Sequence, residues 1–447
     1  MKISARRLMV LLTTVAAVAV SFAPANAVSR KRSRPRTPFA ATSGPYADTL
    51  TKVGADLDAF WSVEMPRIYK ISYQPLVGFY PYSSQALPPK CGMQLTFSEI
   101  AGNAFYCQAA DYIAFDNEGL FPELYDGFGD IALGMVLAHE FGHAVQARSR
   151  TRLPSVYAEL QADCFAGAWL RRVSDGKSPY LKLSSGVIED ALGATLAFRD
   201  RPGIAAESRG AHGNGFDRTG AVQLGFDEGT QRCAKFRQNP PTVTATGFTA
   251  ASEAASGGDV ALDEAVRITT VTANRHFASV PGFVPITSVE RTDRPTVAAL
   301  TKQCPNAALI LDQRVGVCPD SGSGLPLLRV SDNALQDAAT KVGDVGASII
   351  LVLGWTARVQ QLQGEPTHDA SVSAELRSTC LAGTWLGATQ RGETGVADDP
   401  VSLSPGDVDE ALIALIRVGG LSTTFDRVRA LRIGFSAKAP FTACSKF

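Results

Sequence analysis

The chain has 447 residues, 45% of them hydrophobic and 19% charged, enough for two domains with cores of their own and too apolar for a disordered polymer. Lysine plus arginine equals aspartate plus glutamate at 43 each, so no global field draws it to nucleic acid or to an anionic membrane. Function has to be sought in local patterns.

In chain order, the first 27 residues read as a secretory signal peptide. Lys2, Arg6 and Arg7 precede an apolar run from Leu8 to Phe22, and Ala25-Asn26-Ala27 is a small-x-small cleavage site. The run is shorter than the roughly 20 residues a spanning helix needs. Cleavage after Ala27, export and no stable membrane insertion are therefore expected, with an uncleaved anchor as the alternative. Residues 28–45, where Arg30, Lys31, Arg32, Arg34 and Arg36 stand among Pro and Ser, read as a solvated basic tether.

The first domain is expected over residues 46–235. Leu50, Val53, Leu57, Phe60 and Trp61 recur at helical spacing, and Tyr112 to Phe115, bounded by Asp111 and Asp116, is the best strand candidate. From Phe128 the sequence runs apolar to Ala138, with Ile131, Met135, His139 and His143 at successive i, i+4 positions. The two histidines thus continue the inner face of a mostly buried helix.

The pentapeptide His139-Glu140-Phe141-Gly142-His143 carries the chemistry. Two histidines four apart on a helix point the same way, so both rings can reach one metal ion. Glu140, on the adjacent face, occupies the general-base position of H-E-x-x-H metallopeptidases. A lone histidine on an apolar face is ordinarily a hydrogen-bonded core residue. Two of them with a carboxylate between would leave charge unpaired in a dry setting, at several kcal/mol, and a metal gives all three a partner. Downstream, Val156, Leu160, Phe165 and Trp169 with Ala162 and Ala166 mark a second helix, on which Glu159 and Asp163 are again i and i+4. Glu159 is the candidate third ligand, leaving a fourth position open as a catalytic zinc site requires. Asp163 can accept the outer N–H of a ligand histidine and fix its tautomer. The alternative for this acidic pair is a solvated face. Cobalt or manganese also accept such N/O ligands; zinc is preferred on availability and geometry.

Together with Cys91-Gly92, the run Phe105-Tyr106-Cys107 through Asp111-Tyr112 to Asp116, the block Glu159-Leu-Gln-Ala-Asp163-Cys164-Phe-Ala-Gly167 and His212-Gly213, these motifs resemble the predicted neutral zinc metallopeptidase family over about residues 46 to 235. The resemblance implies an α+β, mainly α, zincin-like fold, Zn2+ as cofactor, a peptide or protein substrate, and the ligand set His139, His143 and Glu159. It also implies a strand along the cleft that pairs with an extended substrate, a role assigned to Tyr112–Phe115; a hairpin pinned by a Cys91–Cys107 bridge is the plainer reading. In the expected mechanism Glu140 moves the proton of the attacking water to the leaving amine, and His212 or Tyr157 donates to the oxyanion. His212, in Ala211-His212-Gly213-Asn214-Gly215, is otherwise a turn residue. Two other classes stay open: an exported zinc-binding interaction protein, which an intact Glu140 argues against, and a zinc hydrolase of a non-peptide amide such as cell-wall material.

Residues 236–260, with Pro240-Pro241 and Ser256-Gly257-Gly258, have linker composition. Beyond them, over 261–447, the chain repeats itself. Glu159 to Leu170 returns as Glu375 to Leu386, Leu183 to Leu192 as Leu403 to Leu412, and Phe216-Asp217-Arg218 as Phe425-Asp426-Arg427. The copy lacks the chemistry, because Leu353, Gly354, Ala357 and Thr379 stand where His139, Glu140, His143 and Asp163 do. A metal-less pseudo-enzyme is expected, acting as a structural partner or as a binding surface for another protein. His276 and His368, outside the matched blocks, are expected at the surface. The cysteines follow the duplication, four per copy, which in an exported chain argues for disulfides. Of the three pairings open to each copy, Cys91–Cys107 with Cys164–Cys233 and Cys304–Cys318 with Cys380–Cys444 are expected. A cysteine zinc site is the alternative, opposed by the lack of a close C-x-x-C pair.

Overall fold

The computed structural model describes residues 44–182, 186–292, 308–310, 315–319, 326–395 and 401–447. The expected signal peptide, nearly all of the tether, Leu183 to Ser185 and Cys304 lie outside the described residues. The chain divides into two compact units, one running to Val243 and the other from Thr244 to Phe447 with residues 201–204. Both are mainly helical, each with a small sheet.

The first unit opens with helix α1 (Ala47–Tyr69), which buries Leu50, Val53, Leu57, Phe60 and Trp61, the stripe legible in its periodicity. Strands β1 (Gly78–Tyr82), β2 (Ala104–Cys107) and β3 (Tyr112–Asp116) follow, with a single turn of helix, α2 (Phe97–Ile100), before β2. The sheet order is β1-β3-β2: β3 runs parallel to β1 and antiparallel to β2, and all five of its residues are buried. The strand lies where expected, but its role along a substrate is corrected, because a strand with a neighbour on each side has no edge left for one. The hairpin reading holds instead: β2 and β3 form it, and Cys107 of β2 is bridged to Cys91.

The rest of this unit is helical: α3 (Leu120–Phe128), α4 (Asp130–Ser149), α5 (Ser155–Ser174), α6 (Val187–Ala197), α7 (Gly215–Glu228) and α8 (Thr230–Cys233). Helix α4 starts after Gly129 at φ 72°, carries Asp130 in its first turn against the positive helix end, and stops at Arg150, φ 55°. It is apolar around most of its circumference and so sits centrally. Gly142 decides how near α5 can come. A Cβ there would lie 2.7 Å from the Ala162 Cα, so only glycine permits this approach. Phe165 packs edge-on against Trp61 at 5.1 Å between centroids, joining α5 to α1. The Cys164–Cys233 disulfide ties α5 to α8.

The second unit contains α9 (Ala251–Ser256), a short helix inside the expected linker, then α10 (Leu262–Phe277) and strands β4 (Ser288–Thr292), β5 (Ala308–Ile310), β6 (Val315–Pro319) and β7 (Pro326–Ser331). Their order is β4-β7-β6-β5, with β4 parallel to β7 and the other pairs antiparallel. Helices α11 (Asp332–Lys341), α12 (Asp344–Leu362), α13 (Val372–Gln390), α14 (Asp407–Val418), α15 (Thr424–Phe435) and α16 (Pro440–Cys444) complete it, with a 3-10 turn at His368–Ala370. Among the described residues α12 alone is long and apolar enough to cross a membrane, and 83% of its apolar window is buried inside the unit, as in a core helix. Cys380–Cys444 is bridged, and Cys318 is disulfide-bonded as well. The surface placement of two histidines is corrected here: His368 is buried at 3% exposure, and half-buried His276 bonds through Nε2 to the Thr384 hydroxyl at 2.8 Å. Each lies on an element packed against α13, a relation that sequence distance does not reveal.

Candidate metal centre

Because α4 and α5 touch at Gly142 and Ala162, the residues one turn either side face each other. His139 and His143 on α4 meet Glu159 on α5. His139 Nε2 lies 3.1 Å from Glu159 Oε2, His143 Nε2 lies 3.2 Å from His139 Nε2, and His143 Nε2 lies 3.4 Å from Glu159 Oε2. A tetrahedral ion at about 2.0–2.1 Å from its ligands separates any two of them by about 3.3 Å. The three atoms therefore form a near-regular triangle of the size one face of a zinc tetrahedron has.

The outer ring nitrogens are also engaged. Asp163 Oδ1 accepts from His139 Nδ1 at 2.7 Å, one turn beyond Glu159, and Gln146 Oε1 accepts from His143 Nδ1 at 2.9 Å. Both Nε2 atoms are thereby left as lone-pair donors toward the open centre. Gln146 is itself held, its Nε2 donating to the Ala158 carbonyl at 2.6 Å. Asp163, 3% exposed, receives the Arg218 guanidinium fork, Nε at 2.8 Å and Nη2 at 2.9 Å. An exposed acidic face is thus ruled out for this residue.

The electrostatics of the group call for a cation. Burial disfavours charge on His139, yet the adjacent carboxylates of Asp163 and Glu159 outweigh it and hold the ring up to about 10. Burial likewise opposes ionisation of Glu159, but the two histidines hold it well below the ordinary carboxylate range. Asp163, against the same burial, is held down by Arg218 and His139. A site that attracts a proton this strongly is short of positive charge, and a divalent ion supplies it. Glu140, 8% exposed, behaves differently: burial pushes its carboxyl up against the pull of both histidines, and the backbone N–H of Tyr106 donates to it.

His212 is not brought to the triad by any hydrogen bond of the cluster. Its Nδ1 pairs with Asp200 Oδ1 at 3.2 Å, and the backbone N–H groups of His212 and Gly213 donate to Asp200 Oδ2 at 2.7 and 2.8 Å, which is turn geometry with the side chain 37% exposed. Tyr157, half-buried in the first turn of α5, takes part in none of the bonds that tie the cluster together. Arg218 and Gln146 are the functional residues that sequence reasoning missed. Gln146 had a signal, lying three residues after His143 on the same helix face; Arg218, 55 positions from Asp163, had none. A second acidic group, Asp259, Asp344 and Glu410, lies in the other unit. Burial and its acidic neighbours push Glu410 up to about 10.

Comparison with known proteins bears on the same stretch. A family model described as "Putative neutral zinc metallopeptidase" matches residues 12–236, just over half of the chain. "Uncharacterized protein YpfJ" of Escherichia coli strain K12 is 31% identical over 151 residues, 28% of this chain and 50% of its own length. "Uncharacterized protein Rv2575" of Mycobacterium tuberculosis strain H37Rv is 31% identical over 177 residues, 34% of this chain and 55% of its own. The chain spans about half the length of the curated relatives it matches. No solved structure matches it. With the His-His-Glu triangle lying inside the matched stretch, the chain belongs to this family of neutral zinc metallopeptidases.

Proposed function

We propose that the chain is an exported zinc metallopeptidase that hydrolyses peptide bonds with Glu140 as general base. The observation that carries the reading is the position of Glu140: buried, raised above the ordinary carboxylate range by that burial, and on the same helix turn as two histidines whose Nε2 atoms converge with Glu159. A structural zinc site has no use for such a group. His139, His143 and Glu159 would hold the ion, Asp163 and Gln146 fix the two ring tautomers, and Arg218 keeps Asp163 ionised. Zinc in such a site supplies Lewis acidity toward a carbonyl and lowers the pKa of water toward roughly 7. Glu140 takes the proton of the attacking water and returns it to the leaving amine, a role that a carboxyl raised toward neutrality fits.

Export is supported by the charged and apolar segments at the N-terminus and by the disulfides. The second unit is read as a degenerate copy that has kept the scaffold and lost the ligands. Supporting this, Gln360 donates to Ala374 O at 2.9 Å as Gln146 does to Ala158 O, and a Cβ on Gly434 would strike Cys380 O at 1.9 Å as one on Gly225 would strike Cys164 O at 1.7 Å.

The test is to incubate zinc-loaded wild type and Glu140→Gln with peptide libraries and with cell-wall fragments. Peptide cleavage that falls about 10²–10⁴-fold in Glu140→Gln while zinc stays bound is the expected outcome. Cleavage of wall fragments alone makes the enzyme a non-peptide amidase, and no cleavage of either makes the chain a binding protein. His212→Ala belongs in the same assay: lower turnover with zinc retained assigns it the oxyanion role, and unchanged turnover removes it.

A further inference from the structure

Among the described residues, strand β2 has a strand neighbour on one side only. The Asp116 N–H donates to Asn103 O, which fixes the phase of the β2–β3 ladder: Phe105 bonds to Ala114, while Ala104 and Tyr106 turn their peptide groups away from β3. The Tyr106 N–H reaches Glu140 in that direction, so this outward edge lies against the catalytic helix. The outward Ala104 N–H is taken by Asn103 Oδ1 at 2.9 Å, so on the metallopeptidase reading an extended substrate pairs with the carbonyls of Ala104 and Tyr106 that remain on this edge. Its orientation relative to the triad then governs where a scissile bond comes to lie.

Glu140 alone cannot set that orientation. One contact fixes a point on the strand and leaves it free to pivot, and Glu140 has protons to move during turnover. A second hold comes from the last turn of the same helix. Arg148, with its side chain only 15% exposed, grips both oxygens of Asp111 at 2.9 and 3.1 Å and donates to Gln74 O at 2.5 Å and to Pro75 O at 3.3 Å. Asp111 in turn accepts from the Tyr106 hydroxyl at 2.8 Å, donates its N–H to Cys107 O, and accepts from the Val77 N–H at the entry to β1. It sits at φ 57°, a left-handed conformation that aspartate adopts more readily than most residues. Eight residues separate Glu140 from Arg148, about 12 Å along the helix, nearly the length of β2 itself.

We infer that Arg148 is a positioning residue for substrate recognition: through Asp111 and the Tyr106 hydroxyl it sets the angle between the open edge of β2 and the helix carrying His139, Glu140 and His143. An ordinary exposed ion pair would contribute little. Here the guanidinium meets four acceptor atoms, Gln74 O from Nη1 and Pro75 O with both Asp111 oxygens from Nη2, and joins three backbone segments, a reach to which arginine rather than lysine is suited.

The test compares two zinc-directed ligands on the full zinc-loaded chain: acetohydroxamate, which has no peptide backbone, and a tripeptidyl hydroxamate, which does. Arg148→Met keeps the apolar stem and should weaken the peptidyl ligand at least about tenfold while acetohydroxamate and zinc content stay within about twofold. Arg148→Lys should fall between, and Asp111→Asn, which keeps an acceptor for Tyr106, should reproduce the defect without adding to it in the double variant. Unchanged affinity for both ligands, or equal loss of both, overturns the assignment. If the wild type binds the two hydroxamates as described but cleaves no peptide, the peptidase reading fails and the strand geometry is still measured.

Discussion

Helices α4 and α12 occupy the same place within their own units, each the apolar central helix, and only one of them carries chemistry. In α4 the latch residue Gln146 uses both ends of its amide, one on the Ala158 carbonyl and one on His143. In α12 Gln360 keeps the carbonyl contact, but its Oε1 is buried with no hydrogen-bond partner among the described residues, since Ala357 stands where a ring would be. The arginines differ likewise: Arg218 lays its fork on Asp163, whereas Arg427 reaches Glu375 with Nη1 at 3.4 Å and its Nε has no partner among the described residues. Glu375 itself is occupied by the N–H groups of Leu421 and Ser422, both at 2.7 Å. A leucine on a buried helix costs less than an imidazole without a metal.

The comparison can be broken most sharply at Arg218. Arg218→Met leaves the Asp163 carboxylate buried without its counter-charge, which should cost the first unit about 3–5 kcal/mol and lower zinc affinity by about 10–100-fold, read by thermal unfolding and metal titration. Wild-type stability in this variant would mean that Asp163 does not depend on the ion pair. Next in size is Gly354, which stands where Glu140 does. A Cβ there would lie 2.3 Å from Leu328 Cδ1 and 3.1 Å from Val315 Cγ1, so Gly354→Ala should destabilise the second unit by about 1–3 kcal/mol while leaving peptide cleavage intact. A neutral result would show that β6 and β7 yield, and that the second helix retains room for a base.

A further contrast separates the units by pH. Burial, then Asp407, Asp259 and Asp344, push the Glu410 carboxyl from 4.5 up to about 10. The folded chain keeps a proton that the unfolded chain releases, so this contribution to stability is full below about 4.5 and is lost progressively as pH rises toward about 10. Glu410→Gln keeps an acceptor for the Val345 N–H and should raise the melting temperature at pH 8 by several degrees, at roughly 2–4 °C for each kcal/mol, and far less at pH 5. Equal melting temperatures at pH 8 would show that the acid network has another proton source.

The helices and the ligand triad were legible because they rest on one periodicity. A 3.6-residue repeat places His139, His143, Glu159 and Asp163 on facing surfaces, and the residue types name the chemistry. What lay hidden depends on contacts made across long stretches of chain. The run Tyr112 to Phe115, bounded by Asp111 and Asp116, marks a strand but does not count its neighbours, so the expected substrate edge fell on a strand paired on both sides. Arg218 belongs to the site only because Gly225 lets α7 lie directly on α5, and no local pattern connects it to Asp163. His368 was misplaced for the same reason, as its burial comes from α13 rather than from its own short turn.

The most direct measurement is the metal content of the purified full chain, taken alongside His143→Ala and Leu353→Ala. One zinc per wild-type chain, none in His143→Ala and one in Leu353→Ala is the expected result. Full zinc occupancy in His143→Ala, or no zinc in the wild type, would contradict a centre built from His139, His143 and Glu159.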